Sequence, residues 1–218
     1  MIAIYEGEGT LWSGKNYPRI SAQQILKGAL QNLSWLIMPG GRDRPYHQAL
    51  KGEPNRLLKQ FVLDGGTYLG ICAGAYYGCK SVEFEKGFPL EICEERELQF
   101  FSGKAVGPAY GKGIFSYGSE TGARIAPLLT PYGMFYSYFN GGCFFEGDVS
   151  SCHVLATYAD LPKHPPAILE IPLGKGRAIL SGVHIETLFS SELCQHPSSN
   201  QVEVEVKDRL ARIGATVG

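Results

Sequence analysis

Thr67-Tyr68-Leu69-Gly70-Ile71-Cys72-Ala73-Gly74-Ala75-Tyr76-Tyr77-Gly78-Cys79 is the stretch on which the reading of this chain turns. Thr67 to Ile71 suits a buried strand, and the small and aromatic residues from Ala73 suit the start of a helix. Between them, Gly70-Ile71-Cys72-Ala73-Gly74 has the strand, sharp turn, helix form of a nucleophile elbow with Cys in the place of Ser. Such a turn holds its nucleophile in strained backbone, and flanking residues without bulky side chains let the chain pass close by. Free N–H groups at the start of the following helix favour negative charge on the sulfur. Cys72 is therefore the candidate nucleophile, set apart from the thiols at Cys79, Cys93, Cys143, Cys152 and Cys194.

Upstream of the elbow, strand-like and helix-like runs alternate, the pattern of an α/β domain with a parallel sheet. Ile2 to Tyr5 and Trp35 to Met38 are predicted strands, the second ending in Pro39-Gly40-Gly41. Ser21 is placed to cap a helix carrying Ile25, Ala29, Leu30 and Leu33, and Pro54 to Leu63 forms another that stops at Gly65-Gly66. Arg42, Asp43 and Arg44 fall in the loop between these elements. Downstream, Val82-Glu83-Phe84-Glu85 and Glu97 to Phe101 read as short strands, and residues 103–150 are rich in glycine and aromatics, with turn signals at Tyr117-Gly118-Ser119-Glu120 and Asn140-Gly141-Gly142. Val154 to Tyr158 is a strand. Ala167 to Ile171 and Arg177 to Ser181 form a hairpin about Gly174-Lys175-Gly176, and a helix is predicted from about Gln201 to Ile213.

A cysteine nucleophile needs a base, and the base needs a group that holds its ring. Val183-His184-Ile185-Glu186 follows the last predicted strand. In extended chain, His184 and Glu186 project to the same side, so Glu186 can hold one ring nitrogen while the other faces Cys72. His47, His153, His164 and His196 lie in no such pattern. Donors for a developing oxyanion are available at the N–H of Ala73 and in the Gly40-Gly41 turn.

Composition narrows the function classes. Lys and Arg number 20 against 21 Asp and Glu, a net charge of −1, so no basic excess points to nucleic acid. Hydrophobic residues make up 44% and charged residues 19%, which suits one packed domain over residues 1–218. No membrane-length apolar run and no basic leader is read, so a cytoplasmic location with reduced thiols is expected and no membrane partner is. The scattered Cys and His residues lack the spacing of a zinc site, and neither metal nor cofactor is expected.

The order and intervals of Pro39-Gly40-Gly41, Gly70-Ile71-Cys72-Ala73-Gly74 and His184-Ile185-Glu186 resemble the class I glutamine amidotransferase family. Met38 to Tyr46, Gly70 to Cys79 with its Tyr76-Tyr77, Val82 to Glu85, Tyr117 to Glu120 and Asn140-Gly141-Gly142 are similar to the amidotransferase-like domain at the N-terminus of eukaryotic biotin-protein ligases, also found as stand-alone bacterial proteins. The resemblance spans nearly the whole chain. It implies a three-layer, flavodoxin-like fold, a mostly parallel sheet with helices on both faces. It also implies Cys72 as nucleophile, His184 as general base and acid, Glu186 as its orienter, Gly41 and Ala73 as oxyanion donors, and Gly40, Tyr76 and Asn140 at the oxyanion or substrate. Two positions depart from the pattern. Tyr76 replaces the Gln that helps bind glutamine in authentic glutaminases, and Ile185 replaces the usual Pro. A biotin-ligase adenylate-binding motif is missing, so attachment of biotin by this chain alone is not expected.

Three functions follow as expectations. The first is a cysteine hydrolase or amidotransferase acting on the C–N bond of a small amide or amino-acid-like ligand through a thioester. Arg42, Asp43 and Arg44 would then flank its mouth, and Tyr76, Tyr77, Tyr138 and Phe139 would line its pocket. The second is a binding or regulatory module that keeps the triad but turns over nothing, with a partner protein that the sequence does not identify. The third is a redox sensor using an activated Cys72.

Overall fold

The computed structural model describes residues 1–187 and 210–215. Its centre is a set of short strands that are buried on both sides: β1 (Ile2–Tyr5), β4 (Trp35–Met38), β6 (Thr67–Ile71) and β15 (Gly176–Ser181). They pair in parallel, with Met38 opposite Gly70 and Ser181 opposite Ile71, so the elbow leaves the middle of the sheet. Between them in sequence lie β2 (Thr10–Leu11), β3 (Arg19–Ile20) and β5 (Gly40–Gly41). The helices are α1 (Ala22–Leu26), α2 (Asp43–Leu50), α3 (Glu53–Leu63) and α4 (Ala73–Gly78).

After α4 come β7 (Cys79–Phe84), β8 (Ile92–Glu95), β9 (Phe101–Gly107), β10 (Arg124–Thr130), β11 (Gly133–Phe139), β12 (Phe144–Glu146), β13 (His153–Tyr158) and β14 (Pro166–Leu173). The main sheet runs β11-β10-β13-β14-β15-β6-β4-β1-β3. Its half from β15 to β3 is parallel, as expected for this fold class, and the half from β15 out to β11 is antiparallel. A smaller sheet, β12-β9-β7-β8, packs beside it, and β2 pairs with β5.

The alternation of a strand sends successive side chains to opposite faces. Leu36, Met38, Tyr68 and Leu180 therefore meet Ile25, Tyr46, Leu58 and Val62 of the helices, along with Phe84 and Phe101 of the small sheet. Trp35, Ile37, Leu69 and Ile179 point the other way, towards Leu128, Tyr158 and the helical residues around Leu210 and Ile213. Full burial of such side chains contributes roughly 1.5–3 kcal/mol each. Helices α1, α2 and α3 cover the first face, and the described helical residues 210–212 lie on the second, consistent with three layers. No helix among the described residues is long and apolar enough to cross a membrane.

Several elements differ from the expectation. The helix predicted through Leu33 stops early, because Gly28 adopts φ 89° and the chain resumes as a 3-10 turn over Ala29–Asn32. Asp43 opens α2 instead of lying in a loop. The strand placed at Glu97 to Phe101 begins only at Phe101, Gln99 having a positive φ of 50°. The ill-defined stretch 103–150 holds most of β9 and all of β10, β11 and β12. The C-terminal helix is described only at 210–212, and the rest of that prediction, with Cys194 and His196, lies outside the described residues.

Candidate active site

Cys72 stands at the end of β6 with φ 49°, a left-handed conformation that a non-glycine residue adopts only under constraint. The constraint is visible: the Cys72 N–H donates to Ser181 O at 2.8 Å, the Gly74 N–H to Pro39 O at 3.1 Å, and Cys72 O accepts from Ala75 and Tyr76. A Cβ on Gly70 would overlap the Gly74 carbonyl, and one on Gly74 would overlap that of Met38. Both glycines are thus required by close backbone approach. The thiol, in a residue only 6% exposed, lies 3.7 Å from Asn140 O, at the end of β11.

His184 follows β15, and its N–H donates to Tyr138 O at 2.8 Å while its carbonyl accepts from the Ser137 hydroxyl at 3.0 Å. Its Nδ1 faces Glu186 Oε1 at 2.7 Å, and His184 and Cys72 border one cavity. Burial works against charge on this ring, but Glu186 and Cys72 outweigh it and hold its pKa well above the ordinary histidine value. Glu186 is buried, and its Oε2 has no partner among the described residues. Ser13, in the loop after β2, lies 3.5 Å from Glu186 Oε1 and 2.9 Å from Thr187 Oγ1. Cys72, His184 and Glu186 are thus brought together around one cavity, an arrangement that would serve as a proton path of sulfur, imidazole and carboxylate.

Two cavities meet at this path. The inner one, about 30 Å³, is bordered by Ala73, Tyr76, Val82, Phe84 and Ile92. The outer one, about 330 Å³, is bordered by Trp12, Ser13, Tyr138, His184 and Glu186. Cys72, Gly41, Phe115, Tyr117 and Asn140 belong to both. Asn140 donates from Nδ2 to Ser119 O at 2.9 Å, while its buried Oδ1 is without a partner among the described residues. The Tyr76 ring packs edge-on against Phe84 and its hydroxyl donates to Gly141 O at 3.1 Å.

The remaining candidates divide. Gly40 borders neither cavity; a Cβ there would sit 2.8 Å from His184 Cε1, so its role is to make room for the imidazole. Tyr77 and Phe139 are core residues, Tyr77 donating to Asn55 Oδ1 at 2.8 Å. Arg42 borders the inner cavity, but Arg44 is turned away and paired with Glu94. Asp43 borders the inner cavity too, but as a buried residue paired with Arg96 rather than as a solvated charge. Trp12, Ser13, Phe115 and Tyr117 were not singled out in the sequence for this site. The nearest signal is the alternation of Phe115 and Tyr117 within a glycine-rich stretch, which is shared by many strands and loops.

A family model for the N-terminal region of biotin-protein ligase matches residues 17–214. An uncharacterized protein of Chlamydia muridarum (strain MoPn / Nigg) is 39% identical over 203 residues, 90% of this chain and 76% of the relative. A biotin–protein ligase of Schizosaccharomyces pombe (strain 972 / ATCC 24843) is 40% identical over 167 residues, which span 72% of this chain but only 26% of the ligase. Among solved structures, a glutamine amidotransferase superposes with a TM-score of 0.55 at 22% identity, covering 87% of this chain and 84% of that one. PurLQS from Thermotoga maritima does so with a TM-score of 0.55 at 12% identity, covering 88% and 90%. Identities this low show the shared fold alone. The match over most of its length makes this chain a member of the biotin-protein ligase N-terminal domain family.

Proposed function

We propose that the chain is an amidotransferase-like cysteine hydrolase that breaks the C–N bond of a small amide through a thioester on Cys72. The observation that carries this reading is the His184 ring, held at 2.7 Å by buried Glu186 and bordering the same cavity as Cys72. A binding surface has no use for a proton path of this kind. In the proposed reaction the thiol proton passes to His184, the sulfur attacks the carbonyl, and the N–H groups of Ala73 and Gly41 receive the oxyanion. His184 then protonates the leaving nitrogen and later activates the water that opens the thioester.

The test is trapping of the intermediate. Small primary and secondary amides are incubated with the protein, quenched in acid and weighed as intact protein. The expected result is an acyl adduct on wild type that is absent from Cys72→Ala, together with release of amine. Amide turnover that survives Cys72→Ala removes the proposal.

A second reading, a silent binding module related to the biotin-protein ligase domain, draws on Tyr76. That side chain occupies the position of the substrate-binding Gln and leaves an inner cavity of about 30 Å³. Ligand-dependent thermal stabilisation with neither adduct nor turnover would favour the module.

A further inference from the structure

We infer that this site takes an amide with a short acyl group and a large amine, the reverse of glutamine, in which a long acyl arm carries a small leaving nitrogen. The inference rests on the thioester reading above and goes beyond it in naming the substrate class. His184 borders the outer cavity and not the inner one, so the nitrogen that it protonates, and whatever that nitrogen carries, stands in the outer cavity. With the carbonyl oxygen turned to Ala73 and Gly41, the acyl substituent shares with it the inner cavity that both residues border. That space is about 30 Å³ against about 330 Å³ for the outer cavity, so the inner side takes the smaller of the two parts of the amide.

Tyr76 sets this limit, and it is fixed in place. Its ring packs edge-on against Phe84 with centroids 5.7 Å apart, its hydroxyl bonds Gly141 O, and the backbone of Gly107 comes so close that a Cβ there would overlap the hydroxyl. Val82, Phe84 and Ile92 of the small sheet form its apolar walls, and Arg42 and Asp43 border it as well. The outer cavity is about 330 Å³, at the lower end of the range of roughly 300–1,000 Å³ for ligand pockets. Its aromatic side chains, Trp12, Tyr117 and Tyr138, suit an amine with an aromatic or extended apolar body. Where the two spaces meet, Asn140 Oδ1, without a partner among the described residues, is an acceptor for the single N–H of a secondary amide. The step balances: the S–C bond forms as the C–N bond breaks, the thiol proton leaves on the amine by way of His184, and water then releases a short carboxylic acid and restores the thiol.

The probes are p-nitrophenyl acetate, butyrate and hexanoate, which share one aromatic leaving group. Acylation of Cys72 is followed by p-nitrophenolate release and intact mass, each rate divided by that of free N-acetylcysteine. On wild type, acetate is expected to react fastest, with each methylene added beyond it slowing acylation about tenfold or more. Tyr76→Leu and the milder Val82→Ala are expected to flatten the series by speeding butyrate. Butyrate and hexanoate reacting as fast as acetate, or a preference unmoved in both variants, overturns the size rule while leaving the nucleophile standing. Failure of every ester to acylate Cys72 removes the nucleophile itself, and the inference with it.

Discussion

Two buried ion pairs lie close to the elbow, and they are built differently. Arg96, fully buried, bonds Asp43 Oδ2 through Nε at 2.8 Å, Glu94 Oε2 at 3.0 Å and its neighbour Glu95 O at 2.8 Å. This cation has acceptors at Nε and Nη1, while its Nη2 lies 2.7 Å from Asp43 Oδ2 without a hydrogen bond among the described residues. His184 has Glu186 on one side and a thiol on the other, and the second oxygen of Glu186 is without a partner among the described residues. Burial opposes charge in both pairs but with opposite outcomes. At Asp43 burial raises the carboxyl more than Arg96 lowers it, whereas at His184 burial is outweighed and the ring's pKa is raised. The first pair has geometry suited to joining α2 to the strand end at Glu95. The second keeps a proton available beside a sulfur.

The largest effect that separates them is on rate. Glu186→Gln keeps an oxygen for the ring but removes the charge, and kcat for the amide or ester reaction is expected to fall by about 10²–10⁴, with little change in melting temperature. Steady-state kinetics beside a thermal melt reads both quantities. Next comes stability. Arg96→Ala leaves the Asp43 carboxyl buried and unpaired, which costs about 3–5 kcal/mol, while kcat per folded molecule stays near wild type. Urea unfolding with active-site titration measures this. If Glu186→Gln unfolds the protein as readily as Arg96→Ala does, the contrast between a joining pair and a proton-holding pair fails.

The same contrast explains what could be read from the sequence. Cys72, His184 and Glu186 are legible because each depends on local order: a glycine on either side of an elbow, and a two-residue spacing in extended chain. The parallel strands are legible for a similar reason, since Trp35–Met38 and Thr67–Ile71 are buried throughout and read as unbroken apolar runs. Asp43 is not, because its partner Arg96 lies 53 residues away and a charged tripeptide after a glycine turn looks like any solvated loop. Phe115 and Tyr117 sit in a segment with no regular repeat, placed by stacking on Phe84 at 5.3 Å and on each other at 5.0 Å. Strands β10 and β11 carry Pro127 and a Ser amid aromatics, and their pairing rather than their period defines them. Ser13 reaches Glu186 across 173 positions. What escapes the sequence is long-range pairing.

The smallest effect, and the one that sharpens the comparison most, is in pH. A histidine whose folded pKa lies above its unfolded value near 6.5 adds stability that is fully present below that value and is lost as pH rises through the folded pKa. The His184 contribution should therefore fade in the alkaline direction. The stability gap between wild type and Glu186→Gln, taken from urea midpoints at pH values from about 6 to 9, is expected to be widest at the acid end and to close upward. Because Glu186 and then Cys72 are the groups that raise the ring, Cys72→Ala should lower the His184 midpoint measured by NMR, and Glu186→Gln should lower it further. The acylation rate should follow the same ionisation, since the leaving nitrogen takes its proton from this ring. A wild-type His184 titrating at or below 6.5 would mean that burial wins here as it does at Asp43, and the two pairs would then differ only in their partners.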